Sequence, residues 1–405
     1  MKWLTSSKRF VTAKHETCAC QTRENLIKPP LALYVHLPWC EQKCPYCDFN
    51  SHSLKGDLPE GLYIDQVLMD LESTVSLRGS RKFETVFFGG GTPSLFTPSE
   101  VGRIIQYLNN TSVLEQSAEI TLEANPGSAD AARFEGYRSY GVNRLSLGVQ
   151  SFNDESLRSL GRIHDGKQAA NACEIAKKSG FDNFNIDLMF GLPGQNKQSA
   201  LSDLESALSH EPKHLSLYQL TIEPNTPFAA TPPILPDEEA SWTIRSAVQY
   251  EAQQAGFNHY EVSGFAQSGY QCAHNLNYWQ FGDYIGVGAG AHSKITVENA
   301  VYRWFRTRHP KHYMNPAAPQ QTPQIGDPIK QQDLLFEFLL NALRLKEGFR
   351  FELFEERTGL PWSSQSGIIS KAVDDGLLEI RANHVRTTPL GWRFLDEILQ
   401  RFLPD

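Results

Sequence analysis

Apolar residues recur along the first half of the chain in six short runs, and the segments between the runs carry apolar residues at helical spacing. The runs, rich in β-branched or aromatic residues, cover 31–37, 84–88, 119–123, 143–149, 183–190 and 214–220. The helical segments cover 59–78, 98–109, 129–139, 154–179 and 197–209. This alternation predicts an α/β fold with a parallel sheet. Six units are too few for a closed eight-fold barrel, so we expect a partial, open (βα)6 TIM-like barrel over residues 31–222.

The pattern changes after residue 222, where a proline-rich stretch precedes a predicted helix over 237–256. Together with the glycine-rich and aromatic residues that follow, it predicts an α+β extension over 223–315. A stretch rich in proline and glutamine, 316–328, predicts a boundary before a small C-terminal domain, 329–405.

The C-terminal domain is predicted to be winged-helix-like. Helices over 329–345, 350–357 and 362–375 precede a hairpin over 377–388 and a last helix from Pro389. Many winged helices bind DNA, but the acidic residues of this segment leave no clean phosphate-binding face. We therefore expect a structural or lid role and no nucleic-acid partner.

Composition and charge restrict the class of protein. The 405 residues are 40% hydrophobic and 11% aromatic, which allows a sizeable core, and the net charge of −8 argues against a broad nucleic-acid surface. No stretch approaches the ~20 apolar residues of a membrane-spanning helix. We expect a flexible leader over 1–30 and a cytoplasmic location, with mitochondrial import as the alternative because basic residues precede Glu16. The cysteines outside one motif lack the spacing of a disulfide framework, which fits a reducing compartment.

Cys40, Cys44 and Cys47 form the motif C-x-x-x-C-x-x-C directly after the first predicted strand and indicate a metal site. A structural zinc ion needs four protein ligands, so His36, His52 or a distant residue would have to complete it. A [4Fe-4S] cluster on three cysteines would instead leave one iron open for a ligand that is not protein. Electron-transfer clusters use a fourth cysteine, and none follows here at suitable spacing.

Glycine and polar residues collect on or directly after the ends of the predicted strands. They are Gly90, Gly91, Thr92, Glu123, Gln150 and Asp187. In βα barrels the C-terminal face carries the chemistry, because the loops converge there. Each residue by itself is as compatible with a structural hydrogen bond as with a ligand contact, but their shared rim predicts a binding site.

The cysteine spacing resembles the signature of the radical S-adenosylmethionine superfamily. Segments 34–40, 89–93, 148–152, 161–162 and 187–194 resemble one family within it, which contains oxygen-independent coproporphyrinogen III oxidase and the related HemW-type heme chaperones. The resemblance covers nearly the whole chain from about residue 31. It implies a barrel of the radical S-adenosylmethionine type, one [4Fe-4S] cluster and an electron donor for that cluster.

The resemblance also implies which residues contact S-adenosylmethionine. Tyr34, Gly90 and Glu123 match the positions for the molecule bound at the cluster. The positions for a second molecule are matched by Tyr46, Gly91, Thr92, Gln150, Arg162 and Asp187. Tyr46 occupies the aromatic position expected to touch adenine.

Two features separate the branches of the family. The oxidase carries a further cysteine two residues after the third, where this chain has Phe49, and it begins with a longer N-terminal arm than the thirty residues found here. Both departures favour a heme chaperone, which passes heme to an acceptor hemoprotein. The alternatives are decarboxylation of coproporphyrinogen and a zinc-stabilised winged-helix regulator.

A run at 274–279 resembles the heme-binding motif H-N-x-x-Y-W of the chaperones through His274, Asn275, Tyr278 and Trp279. A neutral imidazole is a good axial ligand of heme iron, and the two aromatic rings would cover the porphyrin face. From the residues alone, an ordinary hydrogen-bonded histidine is the simpler interpretation of His274. Cys272 is either a second ligand or a small buried cysteine.

Overall fold

The computed structural model of the protein describes residues 28–315 and 326–403, within which sixteen strands form three sheets. The strands are β1 (Leu31–Leu37), β2 (Trp39–Cys40), β3 (His52–Ser53), β4 (Phe83–Gly90), β5 (Leu114–Ala124), β6 (Arg144–Gln150), β7 (Phe184–Phe190), β8 (His214–Gln219), β9 (Asn258–His259), β10 (Gly264–Ala266), β11 (Asp283–Val287), β12 (His292–Val297), β13 (Ala300–Phe305), β14 (Phe349–Arg350), β15 (Leu378–Arg381) and β16 (His384–Thr387).

Fifteen α-helices lie in the same two ranges. They are α1 (Glu60–Thr74), α2 (Pro98–Asn110), α3 (Ala131–Tyr140), α4 (Asp154–Ser159), α5 (Gly166–Lys178), α6 (Lys197–Ser209), α7 (Pro227–Ala230), α8 (Glu238–Gln254), α9 (Ala273–Trp279), α10 (Pro310–Tyr313), α11 (Leu334–Ala342), α12 (Phe351–Thr358), α13 (Ser366–Asp374), α14 (Pro389–Arg393) and α15 (Leu395–Gln400). Short 3₁₀ helices cover Val75–Arg78, Pro93–Leu95, Pro126–Ser128 and Trp362–Gln365. None of the helices in the described ranges is long and apolar enough to cross a membrane.

Six parallel strands form the predicted partial barrel. Strands β1, β4, β5, β6, β7 and β8 lie side by side in chain order, with at least one helix between each strand and the next. The two edges of the sheet, β13 and β9, do not pair with each other in the described chain. The prediction of an α/β fold with an open barrel is therefore confirmed.

Each barrel strand has an apolar face toward the helices and a more polar face toward the barrel interior. In β6, Leu145, Leu147 and Val149 are fully buried in the main core, whereas Ser146 and Gln150 face a cavity. Successive side chains of a strand point to opposite faces, so one strand serves both environments. The core thus fixes which residues are presented to the interior.

The segment with helical spacing over 154–179 forms two helices, α4 and α5. Gly161 lies between them at φ +67°, where an added Cβ would come 2.7 Å from Cδ of Pro45. Asp165 then caps the start of α5. The helical character of the segment is confirmed, and the interruption allows Arg162 to reach the end of β6.

The predicted extension after residue 222 adds strands to both edges of the barrel sheet. Strands β9 and β10 continue the sheet beyond β8, while β11 lies parallel to β1 and is followed by antiparallel β12 and β13. Gly288 and Gly290, both at positive φ, form the turn between β11 and β12. This arrangement packs α9 against β1, β4 and β11.

The C-terminal segment is winged-helix-like, as predicted. Helices α11, α12 and α13 precede the β15–β16 hairpin, which pairs with β14 in a three-stranded sheet over a separate hydrophobic cluster. The first helix begins at Leu334, later than the predicted residue 329. Residues 1–27 of the predicted leader and 316–325 of the predicted boundary lie outside the described residues, so the domain limits stay predictions.

Candidate functional site

The three cysteines of the motif lie on one loop beyond the carboxyl end of β1. Strands β2 and β3 pair at the base of this loop and hold its two ends together. The Cys47 amide donates a hydrogen bond to the Cys44 carbonyl at 3.1 Å. Cys40, Cys44 and Cys47 are all partly exposed, and Arg162 donates to the Cys44 sulfur at 3.5 Å. The loop therefore presents three partly accessible thiols, and the Arg162 guanidinium lies beside one of them.

A cavity of about 770 Å³ lies in front of the cysteine loop, within the size range of ligand sites. Its lining contains the three motif cysteines and every residue assigned by the family resemblance to S-adenosylmethionine or to the heme motif, except Trp279. These residues are Tyr34, Cys40, Cys44, Tyr46, Cys47, Gly90, Gly91, Thr92, Glu123, Gln150, Arg162, Asp187, His274, Asn275 and Tyr278. The fold thus brings positions more than 200 residues apart to one site.

The arrangement of the thiols differs from that of a single-ion site. Within residues 28–315 and 326–403, no three His, Cys, Asp or Glu side chains are grouped so that they could hold one metal ion. His36, a candidate fourth ligand of zinc, is buried, and its Nδ1 and Nε2 hydrogen-bond to the Tyr34 hydroxyl and the Asn50 carbonyl at 3.0 and 2.9 Å. Three thiols that border a ligand-sized cavity fit a cluster bound by three cysteines.

Gly90 and Gly91 lie where another part of the chain crosses the end of β4. Gly90 has a φ of +115°, and an added Cβ would lie 2.5 Å from the His36 ring. A Cβ at Gly91 would lie 2.5 Å from the Trp39 carbonyl oxygen. The absence of a side chain at both glycines therefore permits a close backbone approach, as the sequence indicates. The approaching groups in the folded chain include the His36 ring and the Trp39 carbonyl.

Two of the carboxyl groups that line the cavity, those of Glu123 and Asp187, have a raised pKa. Burial, with a smaller contribution from Asp187, raises the pKa of Glu123 to about 8, although the Gly90 amide donates to its carboxyl at 3.2 Å. Burial also raises the pKa of Asp187. Hydrogen bonds donated by Asn185 and Ser146, at 2.8 and 3.2 Å, oppose this effect. At neutral pH the Glu123 carboxyl keeps its proton, so it can donate as well as accept hydrogen bonds.

Arg162, Gln150 and Tyr46 surround one corner of the cavity. Besides its contact with the cysteine sulfur, Arg162 donates to the Gly148 carbonyl at 2.7 Å and so joins the loop to β6. Gln150 ends β6 at φ +68°, a left-handed conformation that non-glycine residues rarely adopt. Burial raises the pKa of the Tyr46 phenol, which keeps it protonated.

The sequence interpretation missed polar residues deeper in the barrel, at Arg144, Ser146, Asn185, His214 and Ser216. The His214 ring hydrogen-bonds to Asn185 Oδ1 at 2.6 Å, and Asn185 donates to Ser146 at 2.7 Å. Arg144 is 2% exposed, and its Nε has no hydrogen-bond partner in the described chain. The alternation of side chains between the two faces of a strand could have identified these residues, because they lie at every second position of β6, β7 and β8.

The predicted heme motif occupies α9, and its histidine is enclosed. His274 is 1% exposed, and its Nδ1 and Nε2 hydrogen-bond to the Thr85 and Tyr278 hydroxyls at 2.8 and 2.9 Å. Burial lowers the pKa of His274 to about 3, so its imidazole is neutral. Glu119 accepts hydrogen bonds from the first two amides of α9 at 3.2 Å each. Cys272 is buried and its pKa is raised to about 12, which favours the neutral thiol.

Comparison with known protein families supports the interpretation of the motifs. Residues 34–207 match the family model described as the radical SAM superfamily, where SAM denotes S-adenosylmethionine. Residues 329–394 match the model described as the HemN C-terminal domain. The two matches cover the barrel as far as α6, without its last strand β8, and most of the C-terminal segment.

Individual relatives are similar over nearly their whole length. The chain is 45% identical to the heme chaperone HemW of Haemophilus influenzae and 44% identical to that of Escherichia coli, and each comparison covers 93% of this chain and 99% of the relative. The solved structure of Escherichia coli coproporphyrinogen III oxidase superimposes with a TM-score of 0.77 at 22% identity and covers 94% of this chain and 92% of that one. The oxidase shares the fold, and the level of sequence identity shows that this chain belongs to the HemW family of the radical S-adenosylmethionine superfamily.

Proposed function

We propose that the protein is a heme chaperone that binds heme, one [4Fe-4S] cluster and S-adenosylmethionine, and passes the heme to an acceptor hemoprotein. One observation carries the proposal: 99% of the Haemophilus influenzae protein, whose name is heme chaperone HemW, aligns with this chain at 45% identity. The barrel, the extension and the C-terminal segment therefore all have counterparts in that relative.

The cavity residues have distinct roles in this proposal. Cys40, Cys44 and Cys47 hold the cluster through their thiolates, and the Arg162 guanidinium stabilises the negative charge of the Cys44 sulfur. When bound, the cluster and S-adenosylmethionine supply one-electron chemistry. Glu123 contributes a carboxyl group that is protonated in the free protein and can donate to a ligand hydroxyl.

S-adenosylmethionine occupies the rest of the cavity. Its contacts are those implied by the family, and all of them lie in the cavity lining: Tyr34, Tyr46, Gly90, Gly91, Thr92, Glu123, Gln150, Arg162 and Asp187. Three residues of the heme motif, His274, Asn275 and Tyr278, border the same space, and direct ligation by His274 would require the loss of two buried hydrogen bonds.

Phe49 favours the chaperone over the oxidase. It stands where the oxidase carries a further cysteine, and its ring is 67% exposed and lines the cavity. A phenyl group offers no ligand atom to a metal or cluster. Coproporphyrinogen decarboxylation therefore remains the alternative that the experiment has to exclude.

The test is anaerobic reconstitution with iron and sulfide, followed by heme loading and removal of free heme. We expect stoichiometric heme in the wild type, and transfer to a heme-free b-type cytochrome faster than from heme-loaded albumin, which serves as a passive donor. The same preparation is assayed for coproporphyrinogen turnover with S-adenosylmethionine and a reductant. Enzyme-like turnover of coproporphyrinogen without retention of heme would refute the chaperone function and support the oxidase function.

The proposal also includes an electron donor for the cluster and a cytoplasmic location. Cys40, Cys44, Cys47, Cys173 and Cys272 are all free thiols, which is the state that a reducing compartment maintains. Fractionation of cells that produce the full chain tests the location, with mitochondrial import as the opposing outcome.

A further inference from the structure

A second cavity, of about 480 Å³, lies between the β12–β13 hairpin, α9 and the C-terminal helix α11. It shares Tyr34, Phe49, Gly90, Glu123 and Tyr278 with the cluster cavity, so the two spaces adjoin. Trp279, the one predicted contact outside the cluster cavity, lines this second cavity. The two aromatic residues of the heme motif therefore both face the second space.

His292 is the accessible histidine of the second cavity. Its side chain is exposed, it contacts the Phe305 ring at a centroid distance of 5.7 Å, and neither ring nitrogen is hydrogen-bonded to a described residue. His36 of the same cavity and His274 of the cluster cavity are buried, and each has both ring nitrogens hydrogen-bonded. A histidine with a free nitrogen is the usual ligand of heme iron.

Positive charge lines the same cavity, and part of it is unpaired. Arg303 pairs with Glu337 at 2.5 Å, and the buried Lys294 pairs with Asp283 at 3.1 Å. Arg308 is exposed and forms no ion pair with any residue of the two described ranges. A guanidinium has the fork geometry that binds a carboxylate, and heme carries two propionate carboxylates.

The remaining walls are aromatic and apolar. The Tyr278 and Tyr284 rings meet edge to face at 4.7 Å, and Trp279 is held beneath the Arg344 guanidinium at 4.2 Å. Phe49 and Leu340 are 67% and 41% exposed at the rim. Flat aromatic walls with an exposed apolar rim suit a large planar ligand that covers them when bound.

We infer that heme binds in the second cavity, with the His292 imidazole as an axial ligand of the iron, Arg308 facing a propionate and Trp279 against the porphyrin. This inference rests on the proposed heme-binding function. His274 is then a positioning residue, because its Nε2 hydrogen bond orients Tyr278, which lines both cavities. Heme in this position borders the cluster cavity directly.

The first test is anaerobic titration of the reconstituted full chain with ferric heme, read by the Soret band and by electron paramagnetic resonance. His292→Ala is expected to lose the histidine-ligated spectrum and to bind heme about tenfold or more weakly. Added imidazole should restore the spectrum, since the cavity then accepts the free ligand. The control is His312→Ala, an exposed histidine that lines neither cavity.

The second test concerns the propionate. Arg308→Met should weaken binding of heme about tenfold and leave binding of heme dimethyl ester unchanged, because the ester carries no carboxylate. Equal loss with both porphyrins would overturn this part of the inference.

The outcomes separate the inference from the proposed function. A wild-type chain that retains no heme overturns both. Heme binding in which His292→Ala keeps the histidine-ligated spectrum and His274→Ala loses it overturns the inference alone. Retention of that spectrum in His274→Ala, at reduced affinity, supports the positioning role.

Discussion

Replacement of Glu123 by glutamine should make the stability of the protein less sensitive to pH. In the folded chain, burial and the neighbouring Asp187 raise the pKa of Glu123 from 4.5 to about 8. In the unfolded chain the carboxyl returns to its ordinary pKa. Between pH 4.5 and pH 8 the folded state therefore binds more protons, and the free energy of unfolding falls as the pH rises. Glutamine has no proton to lose.

The size of the effect follows from the pKa difference. Each pKa unit corresponds to about 1.4 kcal/mol, so the loss of stability across this window has an upper limit of about 5 kcal/mol. Water in the cavity that Glu123 lines reduces the value below that limit. We expect Glu123→Gln to be similar to wild type at pH 4.5 and clearly more stable at pH 8.

The measurement is denaturation of the cluster-free chain in guanidinium chloride at pH 4.5, 6 and 8, followed by tryptophan fluorescence. Titrating groups far from Glu123 are common to both proteins and cancel in the difference, whereas Asp187 interacts with Glu123 and contributes to it. Glu205→Gln, an exposed position on α6, serves as the control and should show no pH-dependent difference from wild type. Parallel pH profiles for wild type and Glu123→Gln would refute the argument that a buried, proton-binding carboxyl lies in the cavity.

Three other substitutions test the cysteine loop, the close contact at Gly91 and the start of helix α9. Cys44→Ser should lose most of the iron that wild type takes up on reconstitution, whereas Cys173→Ala, in α5, should not; equal iron contents would contradict the cluster assignment. Gly91→Ala should cost about 1–3 kcal/mol in thermal unfolding, because its Cβ would lie 2.5 Å from a carbonyl oxygen, whereas Gly61→Ala, in open space on α1, should be neutral or stabilising. Glu119→Gln should destabilise by about 1–2 kcal/mol by weakening the hydrogen bonds at the start of α9; an unchanged melting temperature would argue against that role.

Much of the fold follows from local patterns in the sequence. The six apolar runs correspond to the six barrel strands, and the intervening helices lie where their spacing predicts, apart from the break at Gly161. At that break Gly161 lies against Pro45, more than 100 residues away in the chain, and helical periodicity does not report such a contact. The extension was also predictable as an α+β segment, but its position on both edges of one sheet depends on pairings such as Leu31 with Asp283.

The candidate site divides in a similar way. The sequence determined which residues could meet, because the ends of parallel strands share one rim, and the cavity contains all but one of them. Only the tertiary structure decided their chemical state. His274 belongs to the heme motif, yet Thr85 and Tyr278 hydrogen-bond to both of its ring nitrogens. His292 belongs to no motif, and both of its ring nitrogens are free of hydrogen bonds within the described chain.

The physical reason is the range of the interactions. Backbone periodicity and motif spacing act over a few residues, so the sequence alone reveals the strands, the helices and the cysteine loop. Burial, hydrogen-bond partners and pKa values depend on which distant segments pack together, as Glu123 shows beside Asp187 and Gly90. Which histidine can reach a ligand is therefore a property of the folded chain.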